Sequence, residues 1–199
     1  MKLRHFLALA PAAIALAAMF SAATSSLAQE PPRVKFATSA GDFVVELYPD
    51  KAPKTVENFL QYVRDKHYDG TIFHRVIENF MVQGGGYTAN YAEKRTRMPV
   101  VHEGREALAK GGPRNVVGTL AMARTNDPQS ATAQFFINVK DNSFLDPSAQ
   151  SYGYTVFGKI ASGMEVIQKI RTTPTGAGGP FPSDVPQTPI LINSATLVK

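Results

Sequence analysis

Two short runs of alternating apolar and polar residues are separated by turn-forming residues. Residues 34–38 and 43–47 each show the two-residue period of a strand, and the intervening residues 39–42 read Ser-Ala-Gly-Asp. A two-residue period places every second side chain on the same face of a sheet, so that one face can be buried. The pattern therefore predicts a β-hairpin.

After Pro53 the apolar period lengthens from two residues to three or four. Apolar positions spaced i, i+3, i+4 and i+7 form one stripe on a helix. A proline is tolerated in the first helical turn because its missing N–H would have no partner there. The stripe residues are Val56, Phe59, Leu60 and Val63. A second, shorter helix is predicted around residues 164–170 from Met164, Ile167 and Ile170.

Six further segments have the composition of strands. Together with the hairpin they make eight, and many short strands with two isolated helices indicate a closed antiparallel barrel or a sandwich. Closure of the sheet would remove exposed strand edges. The six segments are residues 71–77, 80–83, 116–123, 134–139, 154–160 and 190–198.

Three stretches between these elements lack a clear period. Residues 87–115 are charged and glycine-rich and are predicted to form a long surface loop, which in a compact domain is usually functional or disordered. Residues 172–189 are dense in glycine and proline and are expected to be irregular. The triple glycine at 84–86 lacks a following Lys-Ser or Lys-Thr, so we interpret it as a strand-ending turn and not as a phosphate loop.

The N-terminal residues have the three parts of a secretory signal. A short basic start is followed by the apolar residues 6–20 and by small residues at 26–28. The pattern predicts a signal peptide over residues 1–28, cut after Ala28. An uncleaved membrane anchor is the alternative, although the apolar run is short and contains Pro11. Cleavage would leave 171 of the 199 residues, 29–199, as one domain.

Composition narrows the chemistry that the chain can perform. It has no cysteine, which excludes disulfides and thiolate metal sites. The formal charge of +5 becomes +3 when Lys2 and Arg4 leave with the signal. So small a charge predicts no nucleic-acid partner. The chain has no second apolar segment of spanning length, so no membrane association is expected after cleavage. We find no histidine pair with zinc-site spacing and no nucleophile-elbow sequence around a serine, so no metal is expected.

The segment 73–85 carries the most unusual polar residue of the chain. Alternation would place Arg75 on one face of its strand with Phe73 and Ile77. A buried arginine needs a partner, and pairing with an acid such as Glu103 is as good an interpretation as a functional role. The neighbouring His74 is expected to be a packed strand residue. Two other histidines, His67 and His102, are expected at the surface.

Five motifs considered together resemble the cyclophilin family, and most of all its exported bacterial members. They are FHRVIENFMVQGG, GTLAMAR, SATAQFFIN, FLD and YTVFGK, in the family's order and approximate spacing. The resemblance covers nearly all of the chain from Val34 onward. It implies an eight-stranded antiparallel β-barrel with an α-helix over each end. It also implies peptidyl-prolyl cis-trans isomerase activity without a cofactor, at a pocket on the outside of the barrel.

The same resemblance assigns roles to individual residues. Arg75 would be the key catalytic residue. A proline socket would be formed by Phe80, Met81, Phe136 and Leu145. The substrate backbone would be held by Gln83, Ala123, Arg124 and Gln134. Three positions depart from the best-known eukaryotic members of the family. Phe144 stands where those members carry Trp, Tyr154 where they carry His, and Arg124 where they carry Asn. Phe144 lacks an indole N–H, so weak binding of cyclosporin is predicted.

Three functions remain to be compared. The first is an isomerase acting on unfolded exported chains, because slow X–Pro rotation can limit folding. The second is a chaperone-like module that grips proline-containing segments, and the third is a structural barrel of the cell envelope. The presence of Arg75 beside the socket residues favours the first. We expect a periplasmic monomer with proline-containing polypeptides as partners.

Overall fold

The computed structural model describes residues 30–198. The predicted signal peptide, residues 1–28, lies outside this range. Within it, no helix is long and apolar enough to cross a bilayer.

The described chain forms ten strands, three α-helices and one short 3₁₀ turn. The order begins with a hairpin and ends with a long strand, and the helices stand singly between groups of strands. In chain order the elements are β1 (Arg33–Thr38), β2 (Gly41–Leu47), α1 (Pro53–Arg64), β3 (Thr71–Ile77), β4 (Met81–Thr88), α2 (Gly104–Ala109), β5 (Thr119–Met122), β6 (Phe135–Asn138), the 3₁₀ turn Ser143–Leu145, β7 (Val156–Ser162), α3 (Met164–Arg171), β8 (Thr175–Gly178), β9 (Phe181–Pro186) and β10 (Leu191–Val198).

Eight of the strands in residues 30–198 close into an antiparallel barrel, which confirms the predicted fold class. Their order around the barrel is β1, β10, β3, β4, β6, β5, β7 and β2. Inward residues such as Val34 and Phe36 on β1 are buried, whereas Lys35 between them is exposed. Phe36 stacks on Phe43 across the hairpin at a ring distance of 4.9 Å. The barrel interior is therefore a packed apolar core.

The two longer helices cover opposite ends of this core. α1 follows the C-terminal end of β2, and its stripe of Val56, Phe59, Leu60 and Val63 joins the interior cluster. α3 lies at the other end of β2, where Val166 contacts Gly41. The helical period was therefore a sufficient predictor of both helices, because each has one broad face to bury.

The prediction of a long loop over residues 87–115 is wrong in two respects. β4 continues through the triple glycine to Thr88, so these glycines do not end the strand. They are needed inside it, because a Cβ at Gly86 would lie 2.5 Å from the side chain of Gln134. In addition, residues 104–109 form α2, which is too short to show a period in the sequence.

The prediction that residues 172–189 are irregular is also wrong. β8 and β9 form a separate two-stranded antiparallel hairpin, with Thr175 opposite Pro186 and Gly178 opposite Phe181. Prolines are compatible with it because each strand of a two-stranded sheet has one open edge that needs no N–H donor. The density of glycine and proline therefore does not exclude a hairpin, although it is typical of irregular structure.

Two histidines expected at the surface are partly or wholly buried. His67 packs between Tyr62 and Tyr68, and its Nε2 lies 3.2 Å from the Gly85 carbonyl oxygen. His102 is half-buried beside the Gly153 carbonyl. Burial lowers the pKa of both imidazoles, because the charged form loses hydration. Both histidines lie outside the regular strands and helices, so no periodic pattern in the sequence indicated their burial.

Candidate active site

A β-bulge in β3 determines where Arg75 points. Phe73 pairs with Gly84 and Arg75 pairs with the next residue along β4, Gln83, so His74 is one extra residue on β3. The bulge reverses the alternation. Phe73 is fully buried in the core, whereas Arg75 is exposed on the outer face. The prediction that these two residues share a face is therefore wrong, although Arg75 and Ile77 do share one.

The alternative that Arg75 pairs with Glu103 is also wrong. The Glu103 carboxylate accepts hydrogen bonds from the backbone N–H groups of Lys54 and Thr55 at 3.2 and 2.7 Å. It accepts a third from the Thr55 hydroxyl at 2.8 Å. Within residues 30–198 Arg75 forms no ion pair of 4 Å or less. Its guanidinium is thus available on the outer face of the barrel.

An apolar cluster separate from the barrel core lies beside Arg75. Met81 on β4 and Phe136 on β6 are almost wholly buried. Gln83 is directly opposite Phe136, so Met81 lies diagonal to Phe136 on the same face of the sheet. Leu145 comes from the 3₁₀ turn and completes the group. Phe80 and Tyr154 pack against its rim. All four predicted socket residues therefore meet at one place.

Polar groups border this cluster on one side. The Gln83 Nε2 donates to the Gln134 Oε1 at 3.1 Å, so the two amides form one unit. The Arg124 guanidinium donates from Nε and Nη2 to the Gly153 carbonyl at 3.0 and 2.9 Å. Its Cζ also lies 4.5 Å from the centroid of the Tyr154 ring. Its Nη1 donates to the Thr125 carbonyl at 2.8 Å. Arg124 is therefore held by three hydrogen bonds to two carbonyls and by a cation–π contact.

A cavity of about 280 Å³ joins these groups. It is lined by every predicted site residue except Phe144, together with three residues that the sequence patterns did not assign to it. Phe144 is 71% exposed and stacks on Phe80 at 5.6 Å, outside the cavity. The predicted lining residues are Arg75, Phe80, Met81, Gln83, Ala123, Arg124, Gln134, Phe136, Leu145 and Tyr154. The three additional residues are His74, Tyr87 and Phe181.

Long-range packing explains why these three residues were missed. His74 reaches the cavity only because of the bulge, and Tyr87 only because β4 continues past its glycines. Phe181 belongs to the concealed hairpin. The one available signal was an aromatic residue within an otherwise small and polar segment, at position 181.

The extra histidine of the bulge is 3% exposed and packs on Tyr87 and Phe181. Burial lowers the pKa of His74 to about 4, and the nearby Arg75 charge acts in the same direction. The Ile72 carbonyl acts in the opposite direction, more strongly than the Arg75 charge but less strongly than burial. No group in the described chain lies in hydrogen-bonding geometry with the Nδ1 atom of His74. At neutral pH the imidazole is therefore uncharged.

A buried polar network holds the 3₁₀ turn that carries Leu145. The Asp146 carboxylate accepts from the Asn115 backbone N–H and Nδ2 at 2.8 and 3.0 Å. Asn142 donates from Nδ2 to the Asn138 Oδ1 at 2.7 Å and to the Phe80 carbonyl at 2.9 Å. These bonds connect both ends of the apolar cluster to β6. The sequence motif FLD contained this aspartate but did not reveal its role.

The site also lacks the chemistry of a metal centre in the part of the chain that the structure covers. Residues 30–198 contain no group of three or more His, Asp or Glu side chains placed to share an ion. What the cavity does offer is the guanidinium groups of Arg75 and Arg124, two amides and an apolar surface. This combination suits the binding of a polypeptide with an apolar ring and polar backbone groups.

The chain is similar to known proteins over most of its length. The family model described as "Cyclophilin type peptidyl-prolyl cis-trans isomerase/CLD" matches residues 33–197. A peptidyl-prolyl cis-trans isomerase of Streptomyces antibioticus is 52% identical over 168 residues, covering 83% of this chain and 98% of that protein. Peptidyl-prolyl cis-trans isomerase B of Escherichia coli is 48% identical over 167 residues, covering 82% and 98%.

A solved structure shares the fold at lower identity. The cyclophilin-type isomerase of Cryptosporidium parvum, crystallised in the presence of the dipeptide Ala-Pro, gives a TM-score of 0.63 at 24% identity. The match covers 84% of this chain and 99% of that one. With a family match across nearly all of the described residues and relatives near 50% identity, the chain belongs to the cyclophilin-type peptidyl-prolyl cis-trans isomerases.

Proposed function

We propose that the cavity beside Arg75 is the site at which the protein accelerates rotation about X–Pro bonds. The observation that carries the proposal is an exposed guanidinium, without an ion-pair partner in residues 30–198, next to the apolar cluster of Met81, Phe136 and Leu145. A proline-containing chain matches both parts, since its ring is apolar and its amide nitrogen changes character during rotation.

Rotation is slow because it breaks amide resonance, at a barrier of ~18–20 kcal/mol. As the C–N bond twists, the prolyl nitrogen becomes pyramidal and gains a lone pair. A donor directed at that nitrogen stabilises the twisted form and not the planar one, which lowers the barrier. The Arg75 guanidinium is always charged and offers several fixed N–H donors. No bond is broken, so rotation itself requires neither a nucleophile nor a leaving group.

The other lining groups hold the substrate while it rotates. The apolar cluster binds the proline ring and excludes water, which strengthens the electrostatic effect of the nearby cation. Gln83 and Gln134 keep free amide donors and acceptors beyond their mutual bond, and these can bind the peptide backbone. A grip on one side of the bond lets the other side rotate. The dipeptide Ala-Pro, present when the Cryptosporidium parvum relative was crystallised, belongs to this class of ligand.

Replacement of Arg75 tests the assignment directly. We expect Arg75→Ala to reduce the isomerisation rate by at least about tenfold, which corresponds to about 1.4 kcal/mol. Arg75→Lys should recover only part of the loss, because an ammonium lacks the planar set of donors. NMR exchange spectroscopy on a short X–Pro peptide measures the rate. Arg95→Ala, an exposed arginine outside the cavity, is the matched control. Near wild-type exchange with Arg75→Ala would remove Arg75 from this role.

We further propose that the clients are unfolded polypeptides exported to the periplasm, where the protein assists folding as a monomer. The signal-like residues 1–28 support export, and catalysed X–Pro rotation removes a slow folding step. N-terminal sequencing of the protein recovered from a periplasmic extract should begin at Gln29. A chain that still begins at Met1 would contradict the cleavage.

A weak affinity for cyclosporin is proposed from Phe144. Its ring stacks on Phe80 and leaves most of its surface in solvent, but it provides no hydrogen-bond donor. An inhibitor that depends on a donor at this position would therefore bind less tightly.

A further inference from the structure

Three aromatic side chains form one flank of the cavity, which we call the aromatic wall: His74, Tyr87 and Phe181. The Phe181 ring centroid lies 5.1 Å from that of Tyr87 and 5.4 Å from that of His74. The His74 and Tyr87 rings are 4.7 Å apart. All three residues line the same cavity as Arg75. The wall therefore extends the apolar surface of the site beyond the proline socket.

The position of Phe181 is fixed by packing, although its hairpin is not part of the barrel. The hairpin is anchored by Val185, which is buried. Its turn packs against the Tyr91 ring. Gly179 has a φ of +52°, and a Cβ there would overlap that ring, so the contact depends on glycine. The Tyr91 ring is 6.4 Å from that of Phe181 and supports it from outside.

The wall is uncharged at neutral pH. Burial holds the pKa of His74 at about 4, and burial raises the pKa of Tyr87, so neither ring is ionised. Phe181 and Tyr87 are each partly exposed, which leaves ring surface open to a ligand. Another side of the cavity is polar, with the Arg124 guanidinium over the Tyr154 ring. The two parts of the cavity therefore favour different chemistry.

We propose that the aromatic wall is a subsite for an apolar or aromatic side chain next to the substrate proline, with Phe181 as its specificity-determining residue. The inference rests on the proposed isomerase site. The wall and the socket share one cavity of about 280 Å³. Consecutive Cα atoms are about 3.8 Å apart, so a chain with its proline in the socket brings a flanking side chain within reach of the wall.

Two series of peptides test the proposal and distinguish the two flanks of the proline. One series compares Phe–Pro with Ala–Pro, and the other compares Pro–Phe with Pro–Ala. The wild-type protein should isomerise the Phe peptide with the higher kcat/KM in one series. Phe181→Ala should reduce that preference by about fivefold, because an aromatic contact is lost. Ser183→Ala, an exposed residue on the same strand, should retain the wild-type ratio.

A second variant guards against loss of the hairpin. Phe181→Leu keeps an apolar side chain and should retain a preference for Leu–Pro or Pro–Leu while losing selectivity for Phe. The NMR signals of Tyr91 report whether the turn still packs on its ring. An unchanged preference in both variants and both series overturns the subsite. A wild-type protein that accelerates every peptide equally also overturns it. A wild-type protein inactive on all the peptides would instead indicate that the proposed isomerase function has failed.

Discussion

Glu103 connects α2 to the first turn of α1 and should be one of the most stabilising polar residues of the fold. The residue before the first turn of α1 is Ala52, which provides no side-chain cap. Glu103 replaces that cap from 48 or 49 residues away, by accepting from the N–H groups of Lys54 and Thr55. A carboxylate is well suited to this position because the first N–H groups of a helix are unpaired and carry partial positive charge.

The size of the effect follows from three hydrogen bonds to a carboxylate that is only 8% exposed. Glu103→Ala leaves two helix N–H groups and the Thr55 hydroxyl without their acceptor. A hydrogen bond to a charged group contributes about 1.5–3 kcal/mol, but such bonds are not additive. We therefore expect a loss of about 3 kcal/mol in the free energy of unfolding. For a domain of this size that lowers the Tm by about 9 °C.

A graded series makes the prediction sharper. Thr55→Val removes only the hydroxyl at nearly constant volume and should cost about 1 kcal/mol. Glu103→Gln keeps one acceptor oxygen and should lie between this value and that of the alanine variant. Urea denaturation monitored by circular dichroism gives the free energies. The control is Glu106→Ala, which removes an exposed acid from α2, the helix that follows Glu103. It should change stability by less than about 0.5 kcal/mol.

The result that would refute this reasoning is a Glu103→Ala variant within about 0.5 kcal/mol of the wild type. It would mean that water satisfies the helix N-terminus equally well. Equal losses for Thr55→Val and Glu103→Ala would also contradict it, because the backbone bonds would then contribute nothing.

Two further predictions concern pH and inhibitor binding. Because the pKa of His74 is about 4 when folded and ordinarily 6.5, the unfolded chain takes up the proton first as the pH falls. Stability should therefore decline between about pH 6.5 and pH 4, by about 3 kcal/mol from this residue. Urea denaturation at pH 7 and pH 4 should show a smaller decline in His74→Asn, and an equal decline would exclude His74 as the cause. For the inhibitor, Phe144→Trp adds an indole N–H at an exposed position and should tighten cyclosporin binding about fivefold by calorimetry. Unchanged affinity would show that this donor is not what the wild-type protein lacks.

Regular local patterns were sufficient to predict most of the framework. The hairpin of β1 and β2 and the helices α1 and α3 have one buried face each, and a buried face imposes a period that can be detected in the sequence. The motifs around Arg75, Gln134 and Leu145 identified the family and most of the residues that line the cavity. Met81 and Gln83 do project to the same side of β4, as alternation predicts.

Periodicity gave wrong predictions at positions whose structure is set by a tertiary contact. The bulge at His74 moves Arg75 to the opposite face from Phe73, and only pairing with β4 reveals the extra residue. The glycines before Tyr87 stay in a strand because side chains of other elements occupy the space where their Cβ atoms would be. The role of Glu103 depends on a helix 48 residues away. Local sequence cannot encode such contacts alone.

The amino-acid sequence by itself determined the first hairpin and the two covering helices, because burial of one face leaves a periodic trace within a single element. Periodicity left a barrel and a sandwich both open, and the resemblance of the motifs to the cyclophilin family indicated the barrel and the chemical character of the site. Tertiary structure alone decided that Arg75 is exposed, that Glu103 caps α1, and that Phe181 stands beside the socket. Each of these depends on the distance between side chains far apart in the chain, which is set only when the separate elements pack together.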